Sequence, residues 1–385
     1  IFYVLYRSNQ SFISNEELKE IISKDYFGKK LGTRNYVQYK KKAISYKLTL
    51  NQDLQGYLRK LLKRYKTPYS AVVVLDNETG NIMAIAGYDY KYQKSYDELT
   101  FSTTNPGASL FKIVTSAALL ETKKIGSKSR ISFNGKGTTL YKNQLRDKKN
   151  KWTRKISFLK SFALSNNVVF GKLSVKYLSS KYLLDVAENF NFNKGLLNIV
   201  NSPISSFSLA ESSYQLAEFG SGFNKVNTLS PLHAAFISMV VANNGVKRKL
   251  NLVKEIRVGE NLIDMQKRKL IDKTKTRIIS KKTASELKLM MHETVRRGTA
   301  RGAGQILNKS LRKKLIIGAK TGSITGGFPF GKREWVTAFA HPADRKKGSG
   351  ISIAVVNILD KKWYIRSSYI ARKVIEHYYR NIKKI

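Results

Sequence analysis

The sequence has no cysteine and little histidine, two of the residues that most often bind metals. Of its 385 residues only four are histidines, and they are isolated from one another along the chain. The absence of cysteine excludes disulfide bonds and thiolate metal ligands. A lone histidine is more often a structural residue than a ligand, so none is assigned a role. We expect no metal or other cofactor, and we expect any catalytic base to be a lysine or a carboxylate.

Acidic residues are scarce as well. The chain has 26 acidic and 71 basic residues, which gives a formal net charge of +45 at pH 7. Such an excess fits a nucleic-acid partner, an anionic membrane or cell-wall surface, or lysines spread over solvated faces. The basic residues are dispersed, with denser runs at 145–155 and 266–282. No zinc-ligand spacing or RNA-binding aromatic signature accompanies them. The pattern favours an anionic surface and no nucleic-acid partner.

Long apolar runs are also missing. The first six residues, IFYVLY, are apolar and are followed by Arg7, whereas a transmembrane helix needs roughly 20 apolar residues. This segment is predicted to be either the end of a removed transmembrane anchor or a strand.

Apolar residues nevertheless make up 42% of the chain, enough for a sizeable core. The pattern indicates two early strands, a largely helical middle region, three late strands and a C-terminal amphipathic helix. The predicted strands are 69–76, 82–90, 314–324, 333–342 and 350–359. We therefore predict an α+β fold, in which a five-stranded antiparallel sheet flanked by helices is interrupted by an inserted all-helical lobe.

One predicted helix, within PGASLFKIVTSAALLETKKIG (residues 106–126), has a serine and a lysine in its first turn. Ser109 and Lys112 are three residues apart and so lie on one face of the helix. A lysine whose pKa is depressed can act as the base that activates a serine nucleophile. Ser-x-x-Lys occurs four times in this lysine-rich chain, so the tetrapeptide alone is weak. The Pro-Gly break and the apolar helix distinguish Ser109.

Two further short motifs follow in the chain. Ser165-Asn166-Asn167 opens the run SNNVVFGKL in the helical region. Lys320-Thr321-Gly322 lies on a predicted strand and is the one Lys-Thr-Gly of the sequence. A strand with this pattern can bind an extended peptide along its edge, because glycine permits close backbone approach and lysine attracts a carboxylate. Taken alone, it could equally be an ordinary strand end.

In this order the three motifs resemble those of the penicillin-binding protein and serine β-lactamase superfamily. The middle motif is Ser-Asn-Asn here, where the family signature is Ser-Asp-Asn. The stretches LTLNQDLQ, AVVVLDNETGNIMAIAG, NTLSPLHAAFISMVVANNG and VRRGTARGA also resemble this family, so the resemblance covers roughly residues 48–360. It implies an N-terminal membrane-proximal or linker segment over residues 1–66 and a penicillin-binding transpeptidase domain over residues 67–385.

The resemblance also implies roles for individual residues. Ser109 would be the nucleophile and Lys112 the general base for acylation. Ser165 would relay a proton to the leaving amine, and Asn167 would hold Lys112 and the substrate amide. Lys320 would support the local electrostatics and orient the Ser165 hydroxyl.

The remaining implied residues lie after Lys320 on the same strand. Thr321 would contact the terminal carboxylate of the substrate, and Gly322 would allow the strand to approach closely. The backbone N–H groups of Ser109 and Ser323 would form the oxyanion hole. Trp335, on the next strand, is predicted to belong to the core.

The implied activity is a peptidoglycan D,D-transpeptidase that crosslinks stem peptides and is acylated by β-lactam antibiotics. A D,D-carboxypeptidase, a serine β-lactamase and a non-catalytic β-lactam or muropeptide sensor remain alternatives. The implied location is the outer face of the bacterial cytoplasmic membrane, with an anionic membrane or wall surface and other cell-wall synthesis proteins as expected partners.

Overall fold

A computed structural model describes residues 13–28, 34–270, 274–304, 307, 309–360 and 362–385. The predicted anchor remnant or strand at residues 1–7 lies outside these residues. The α-helices are α1 (Asn15–Gly28), α2 (Gln52–Arg64), α3 (Lys112–Glu121), α4 (Phe158–Ala163), α5 (Asn167–Tyr177), α6 (Ser180–Asn189), α7 (Ser213–Ser221), α8 (Pro231–Ala242), α9 (Lys281–Arg297), α10 (Lys309–Lys314) and α11 (Ser367–His377).

The strands are β1 (Arg34–Tyr39), β2 (Lys42–Leu48), β3 (Tyr69–Asp76), β4 (Ile82–Asp89), β5 (Lys94–Ser95), β6 (Arg130–Phe133), β7 (Arg154–Ser157), β8 (Val246–Arg248), β9 (Val253–Val258), β10 (Asn261–Leu262), β11 (Lys275–Arg277), β12 (Leu315–Gly326), β13 (Gly331–Pro342) and β14 (Ile351–Leu359).

The central sheet has the strand order β12-β13-β14-β3-β4-β5, and all neighbours are antiparallel. The predicted α+β fold with an antiparallel sheet is confirmed, and the five predicted strands all belong to this sheet. It has a sixth strand, the two-residue β5, which is too short to produce an alternating pattern in the sequence. β12, which carries the Lys-Thr-Gly motif, is an edge strand.

Both faces of the sheet are covered, as the apolar runs of its strands require. Along β3, Val73 and Leu75 pack in one core, while Val72 and Val74 pack in a second core on the opposite face. Helix α8 packs on the first face, and α2 and α11 pack on the second. The four leucines predicted to share one face of α2 are all buried in the second core: Leu54, Leu58, Leu61 and Leu62.

The inserted region is mostly helical but not entirely so. β6 pairs with β7 as a hairpin, and β8 pairs with β11. These strands have three or four residues and are largely exposed or half-buried. Such strands lack the apolar alternation that identifies a strand in sequence, and for that reason the prediction of an all-helical lobe was too simple.

The N-terminal residues contribute to a separate four-stranded sheet of order β1-β2-β9-β10, whose last two strands come from residues 253–262. Tyr46 on β2 donates a hydrogen bond to Asp25 on α1 at 2.7 Å, within a buried contact. The proposed domain boundary after residue 66 stays a prediction. None of the helices in the described part of the chain combines the length and apolar character needed to cross a bilayer.

Candidate active site

Ser109 lies in a 3-10 turn, Ala108–Phe111, that leads directly into α3. Ala108 has a φ of +48°, a left-handed conformation that costs free energy for a residue with a Cβ atom. The turn is held in place by close neighbours. Gly222, at the end of α7, approaches so closely that an added Cβ would lie 2.0 Å from the carbonyl oxygen of Ala108. The serine therefore projects from a strained turn at the start of the helix, and its predicted place at a helix start is confirmed.

Lys112 is fully buried one turn behind the serine. Its Nζ atom lies 2.7 Å from Ser109 Oγ, 2.7 Å from Asn167 Oδ1 and 2.5 Å from the carbonyl oxygen of Ser221. Burial, and secondarily the nearby charge of Lys320, hold the pKa of Lys112 well below its usual value. Lys320, to which the resemblance assigned support of the local electrostatics, is therefore close enough to contribute, with burial as the larger cause.

The number of hydrogen-bonding neighbours around the Lys112 Nζ atom, three, equals the number that a neutral amine can engage. Such an amine has two N–H groups and one lone pair. The N–H groups can donate to Asn167 Oδ1 and the Ser221 carbonyl, which accept only. The lone pair is then left for the hydroxyl proton of Ser109. The geometry can thus support removal of the serine proton by Lys112.

Lys320 and Ser165 form a second lysine–serine pair in the site. The buried Nζ atom donates to Ser165 Oγ at 2.9 Å and to the carbonyl oxygen of Thr321 at 2.7 Å. Burial lowers the pKa of Lys320 to about 7. Ser165 has a φ of +56°, so its hydroxyl is presented from an unusual backbone conformation just before α5. No ion pair joins Lys112 or Lys320 to a carboxylate among the described residues.

Aromatic rings lie beneath both lysines. The Nζ atom of Lys112 is 5.4 Å from the centre of the Phe170 ring, and that of Lys320 is 5.5 Å from the Phe162 ring. These rings exclude water while offering a weak attraction to a cation. They contribute to the burial that depresses both pKa values.

Asn167 connects the site to the loop before α5. Its side-chain Nδ2 group donates to the carbonyl oxygen of Thr138 at 2.9 Å, while its backbone N–H donates to the carbonyl oxygen of Gly137 at 2.6 Å. Asn166 caps α5 by accepting from the N–H of Val169. The predicted contact between Asn167 and Lys112 is present. Its contact with substrate stays a prediction.

The edge strand β12 closes the other side of the site. Gly322 lies against the Ser109 turn, since an added Cβ would be 3.2 Å from both the Ala108 Cβ and the Ser109 nitrogen. Thr321 is half-buried, and its hydroxyl oxygen lies 2.5 Å from that of Thr299. Ser323, the next residue, is exposed. The roles of Thr321 and Ser323 toward a substrate carboxylate and oxyanion stay predictions.

All eight residues predicted from sequence are thus brought together around one site. They are Ser109, Lys112, Ser165, Asn167, Lys320, Thr321, Gly322 and Ser323. Elsewhere in the chain, a second Ser-x-x-Lys serine, Ser157, caps α4, where its side chain accepts from the N–H of Lys160. Trp335 is fully buried and donates to the carbonyl oxygen of Pro106, so its assignment to the core is confirmed.

Sequence reasoning missed several neighbours of these residues. The Ser221 carbonyl and the Thr138 carbonyl are backbone groups, which carry no side-chain signature. Thr299 lies in the stretch VRRGTARGA, where the resemblance to the family was visible, but no role was assigned to it.

Comparisons with known proteins agree with this geometry. The profile of the penicillin-binding protein transpeptidase domain matches residues 70–368. The D,D-transpeptidase domain of a peptidoglycan glycosyltransferase from Eggerthella lenta is similar in structure, with a TM-score of 0.68 and 23% identity over 93% of this chain and 86% of that one. No curated protein matches the sequence.

Penicillin-binding protein A from Mycobacterium tuberculosis is also similar. One structure of it has a TM-score of 0.64 and 21% identity, covering 86% of this chain and 81% of that one. Another, an imipenem acyl-enzyme complex, has a TM-score of 0.65 and 19% identity, covering 94% and 83%. At these sequence identities, the similarity supports a shared fold and no more than that.

Proposed function

The chain belongs to the penicillin-binding protein transpeptidase domain family, and on that premise we propose that it is a D,D-transpeptidase that crosslinks peptidoglycan stem peptides. The observation that carries the proposal is the fully buried Lys112 amine, 2.7 Å from Ser109 Oγ and without a carboxylate to keep it charged. A serine paired with such a base is suited to acyl transfer.

In the acylation step, Lys112 takes the Ser109 hydroxyl proton as Oγ attacks the carbonyl carbon between the two D-alanines of a stem peptide. The backbone N–H groups of Ser109 and Ser323 stabilise the resulting oxyanion, a contribution of about 3 kcal/mol per donor. Ser165 relays to the leaving nitrogen the proton that Lys112 took, so both groups return to their starting protonation states, and the C–N bond breaks. D-alanine leaves with its carboxylate near Thr321, and an ester on Ser109 remains.

In the second step, an amino group of another stem peptide attacks the ester carbonyl. A new peptide bond forms, the bond between the acyl carbon and Ser109 Oγ breaks, and a proton from the attacking amine passes to Oγ. Attack by water instead gives a D,D-carboxypeptidase. With a β-lactam, Ser109 opens the four-membered ring and becomes acylated. The imipenem acyl-enzyme of the structurally similar M. tuberculosis protein supports this part of the proposal.

The proposed location is the outer face of the bacterial cytoplasmic membrane, where stem peptides are crosslinked. The net charge of +45 suits a position near anionic phospholipid or wall polymers. Other cell-wall synthesis proteins are proposed as partners.

The first experiment is intact-mass spectrometry of the protein mixed with a penicillin and followed over time, with Ser109→Ala as the control. We expect one covalent adduct that persists in the wild type and is absent from the variant. Rapid loss of the adduct together with penicillin consumption would indicate a β-lactamase. Absence of any adduct in the wild type would contradict the acyl-enzyme and favour a non-catalytic sensor.

A further inference from the structure

A groove of about 520 Å³ lies beside the loop that carries Ser165. Leu164 and Asn166, the two neighbours of Ser165 in sequence, are among its lining residues. The β6–β7 hairpin also lines it, through residues that include Arg130 and Arg154. The groove therefore lies between the loop that carries Ser165 and this hairpin.

Its lining is basic. Four cationic side chains line this groove and no acidic residue does; the four are Arg130, Arg154, Lys155 and Lys160. The cavity of about 760 Å³ beside the N-terminal sheet is lined by Glu260 and Asp264 as well as by basic residues. A cavity lined by Lys194, Lys247, Arg248 and Lys249 also lacks acidic residues, so it is the position beside Ser165, together with its charge, that distinguishes this groove.

The charges in the groove are available to a ligand. Arg154 donates a hydrogen bond to the carbonyl oxygen of Gly135 and lies 4.6 Å from the centre of the Phe133 ring, so its position is fixed without neutralising its charge. Arg130, Lys155 and Lys160 are exposed, and no ion pair or side-chain hydrogen bond engages them within the described part of the chain. Unneutralised cations that converge on a concave surface favour an anionic ligand.

The groove is joined to the catalytic residues by direct hydrogen bonds. Gly137 and Thr138, which line it, accept from the backbone and side-chain N–H groups of Asn167 at 2.6 Å and 2.9 Å. On the opposite side of the loop, the carbonyl oxygen of Ala163 accepts from the backbone N–H of Thr299 at 3.1 Å.

The same side of the loop leads to the proposed leaving-group position. The hydroxyl of Thr299 contacts that of Thr321, the residue assigned to the carboxylate of the departing D-alanine. The Ser165 loop therefore lies between the basic groove and the proposed leaving-group position.

The proposed reaction determines where the acceptor amine must bind relative to Ser109 and Ser165. The amine that attacks the acyl-enzyme forms the C–N bond that the leaving amine broke, so the two amines occupy one position relative to Ser109 and Ser165. The peptide attached to the attacking amine must then extend away from the donor strand, past the Ser165 loop.

We propose that the basic groove, lined by Arg130, Arg154, Lys155 and Lys160, binds the acceptor stem peptide through a free carboxylate of that peptide. This inference rests on the proposed transpeptidase function and deepens it. The groove acts in the second step alone, so it selects the acceptor and leaves acylation of Ser109 unchanged.

The test compares two acceptor peptides with the same attacking amine, one with a side-chain carboxylate and one with the corresponding carboxamide. The acyl-enzyme is formed from a D-alanyl thioester donor, and the ratio of aminolysis to hydrolysis is measured for each acceptor.

The groove variant is Arg130→Gln/Lys155→Gln/Lys160→Gln, which spares Arg154 and its contacts. The control, Lys41→Gln/Lys254→Gln/Lys267→Gln, removes the same charge from exposed positions near the N-terminal sheet.

We expect the wild type and the control to prefer the carboxylate acceptor. Each ion pair near the surface changes a binding equilibrium by up to a few-fold. Because the groove variant lacks three cationic side chains, its preference for the carboxylate acceptor should be roughly tenfold weaker. Aminolysis by the carboxamide and acylation by a penicillin should be the same in all three proteins. A defect in folding or in the catalytic residues would instead lower every rate together. The carboxylate preference should also shrink with added salt, because salt screens exposed charges.

An unchanged preference in the groove variant, or an equal loss in the control, would overturn the inference while leaving the transpeptidase intact. Inhibition of both acceptors by a poly(glycerol phosphate) chain, lost only in the groove variant, would assign the groove to a wall phosphate polymer and also overturn it. If penicillin acylates Ser109 but no acceptor reacts, the proposed transpeptidase function fails, and this inference fails with it.

Discussion

At the scale of single residues, the two buried lysines differ in what they must do. In the proposed mechanism Lys112 has to be neutral to accept a proton, and its burial without a carboxylate favours the neutral form. Lys320 would serve best as a cation, because it would orient Ser165 and attract a substrate carboxylate. Burial has nevertheless brought its pKa to about 7. The site therefore holds one lysine whose pKa is well below its usual value and another whose pKa is about 7.

This difference predicts the pH dependence of acylation. Lysine loses its charge as the pH rises through its pKa, so the fraction of cationic Lys320 should fall between about pH 6 and pH 8. Acylation of Ser109 by a carboxylate-bearing penicillin should therefore decline as the pH rises through about 7. Lys320→Arg keeps the charge at every accessible pH, and should remove this decline even if it lowers the maximum rate.

The measurement is the rate of acylation by a fluorescent penicillin between pH 5 and pH 10. At low pH both proteins should lose activity as Lys112 becomes protonated. Identical descending limbs in the wild type and Lys320→Arg would contradict the assignment of that limb to Lys320.

The residues that were predictable from sequence are those whose side chains act in the proposed mechanism. Ser109, Lys112 and Lys320 stand in motifs with fixed spacing, and such motifs survive in a divergent chain. The Ser221 carbonyl could not be predicted, because a backbone acceptor depends on the path of the chain rather than on the residue type. Thr299 could not be assigned for a related reason, since its contact with Thr321 arises from packing between α9 and β12.

At the scale of elements, the site depends on how closely three segments approach the Ser109 turn. The α7 end, the α3 start and β12 meet there, and Gly222 and Gly322 occupy the points of contact. Gly222 has a φ of +66°, in the left-handed region where glycine is favoured. A side chain at this position would have both an unfavourable backbone conformation and no room.

We therefore expect Gly222→Ala to displace the Ala108 carbonyl and with it the serine. A clash at 2.0 Å against backbone cannot be relieved by a side-chain rotation. The free energy of unfolding should fall by about 2 kcal/mol, and acylation of Ser109 should slow by roughly a hundredfold or more, since small displacements of catalytic groups cost that much.

Thermal unfolding and the rate of penicillin acylation measure the two effects. Gly126→Ala is the matched control, because nothing lies within 4 Å of an added Cβ there, just after α3. Wild-type acylation in Gly222→Ala would show that the turn tolerates a shift, and that its position is not fixed by α7.

Elements were predictable where their burial pattern was strong. Strands such as β3 and β14 are continuous apolar runs buried along nearly their whole length, and the leucine face of α2 has the period of a helix. The β6–β7 hairpin was missed, since each of its strands has only four residues and three of these eight residues are exposed and basic. That hairpin lines the basic groove, so the groove could not have been predicted either. Pairing across a 20-residue connection is decided by tertiary contacts rather than by local sequence.

At the scale of the whole molecule, the charge is the dominant feature. A net charge of +45 on 385 residues repels itself, which opposes compactness, and attracts polyanions over distances set by the salt concentration. The two cores on either side of the central sheet are extensive enough to hold the fold against this repulsion. We therefore expect the net charge to act mainly in binding to anionic surfaces.

This view predicts salt-dependent binding to anionic membranes. Each basic residue near an anionic bilayer contributes about 1 kcal/mol, and many such residues face outward here. The protein should sediment with vesicles that contain phosphatidylglycerol at 0.05 M salt and be released at 1 M salt, where the screening length falls to about 3 Å. Vesicles of phosphatidylcholine alone are the control and should not bind. Binding to both vesicle types, or binding that persists at 1 M salt, would mean that apolar insertion rather than charge holds the protein, because only electrostatic attraction is lost on screening.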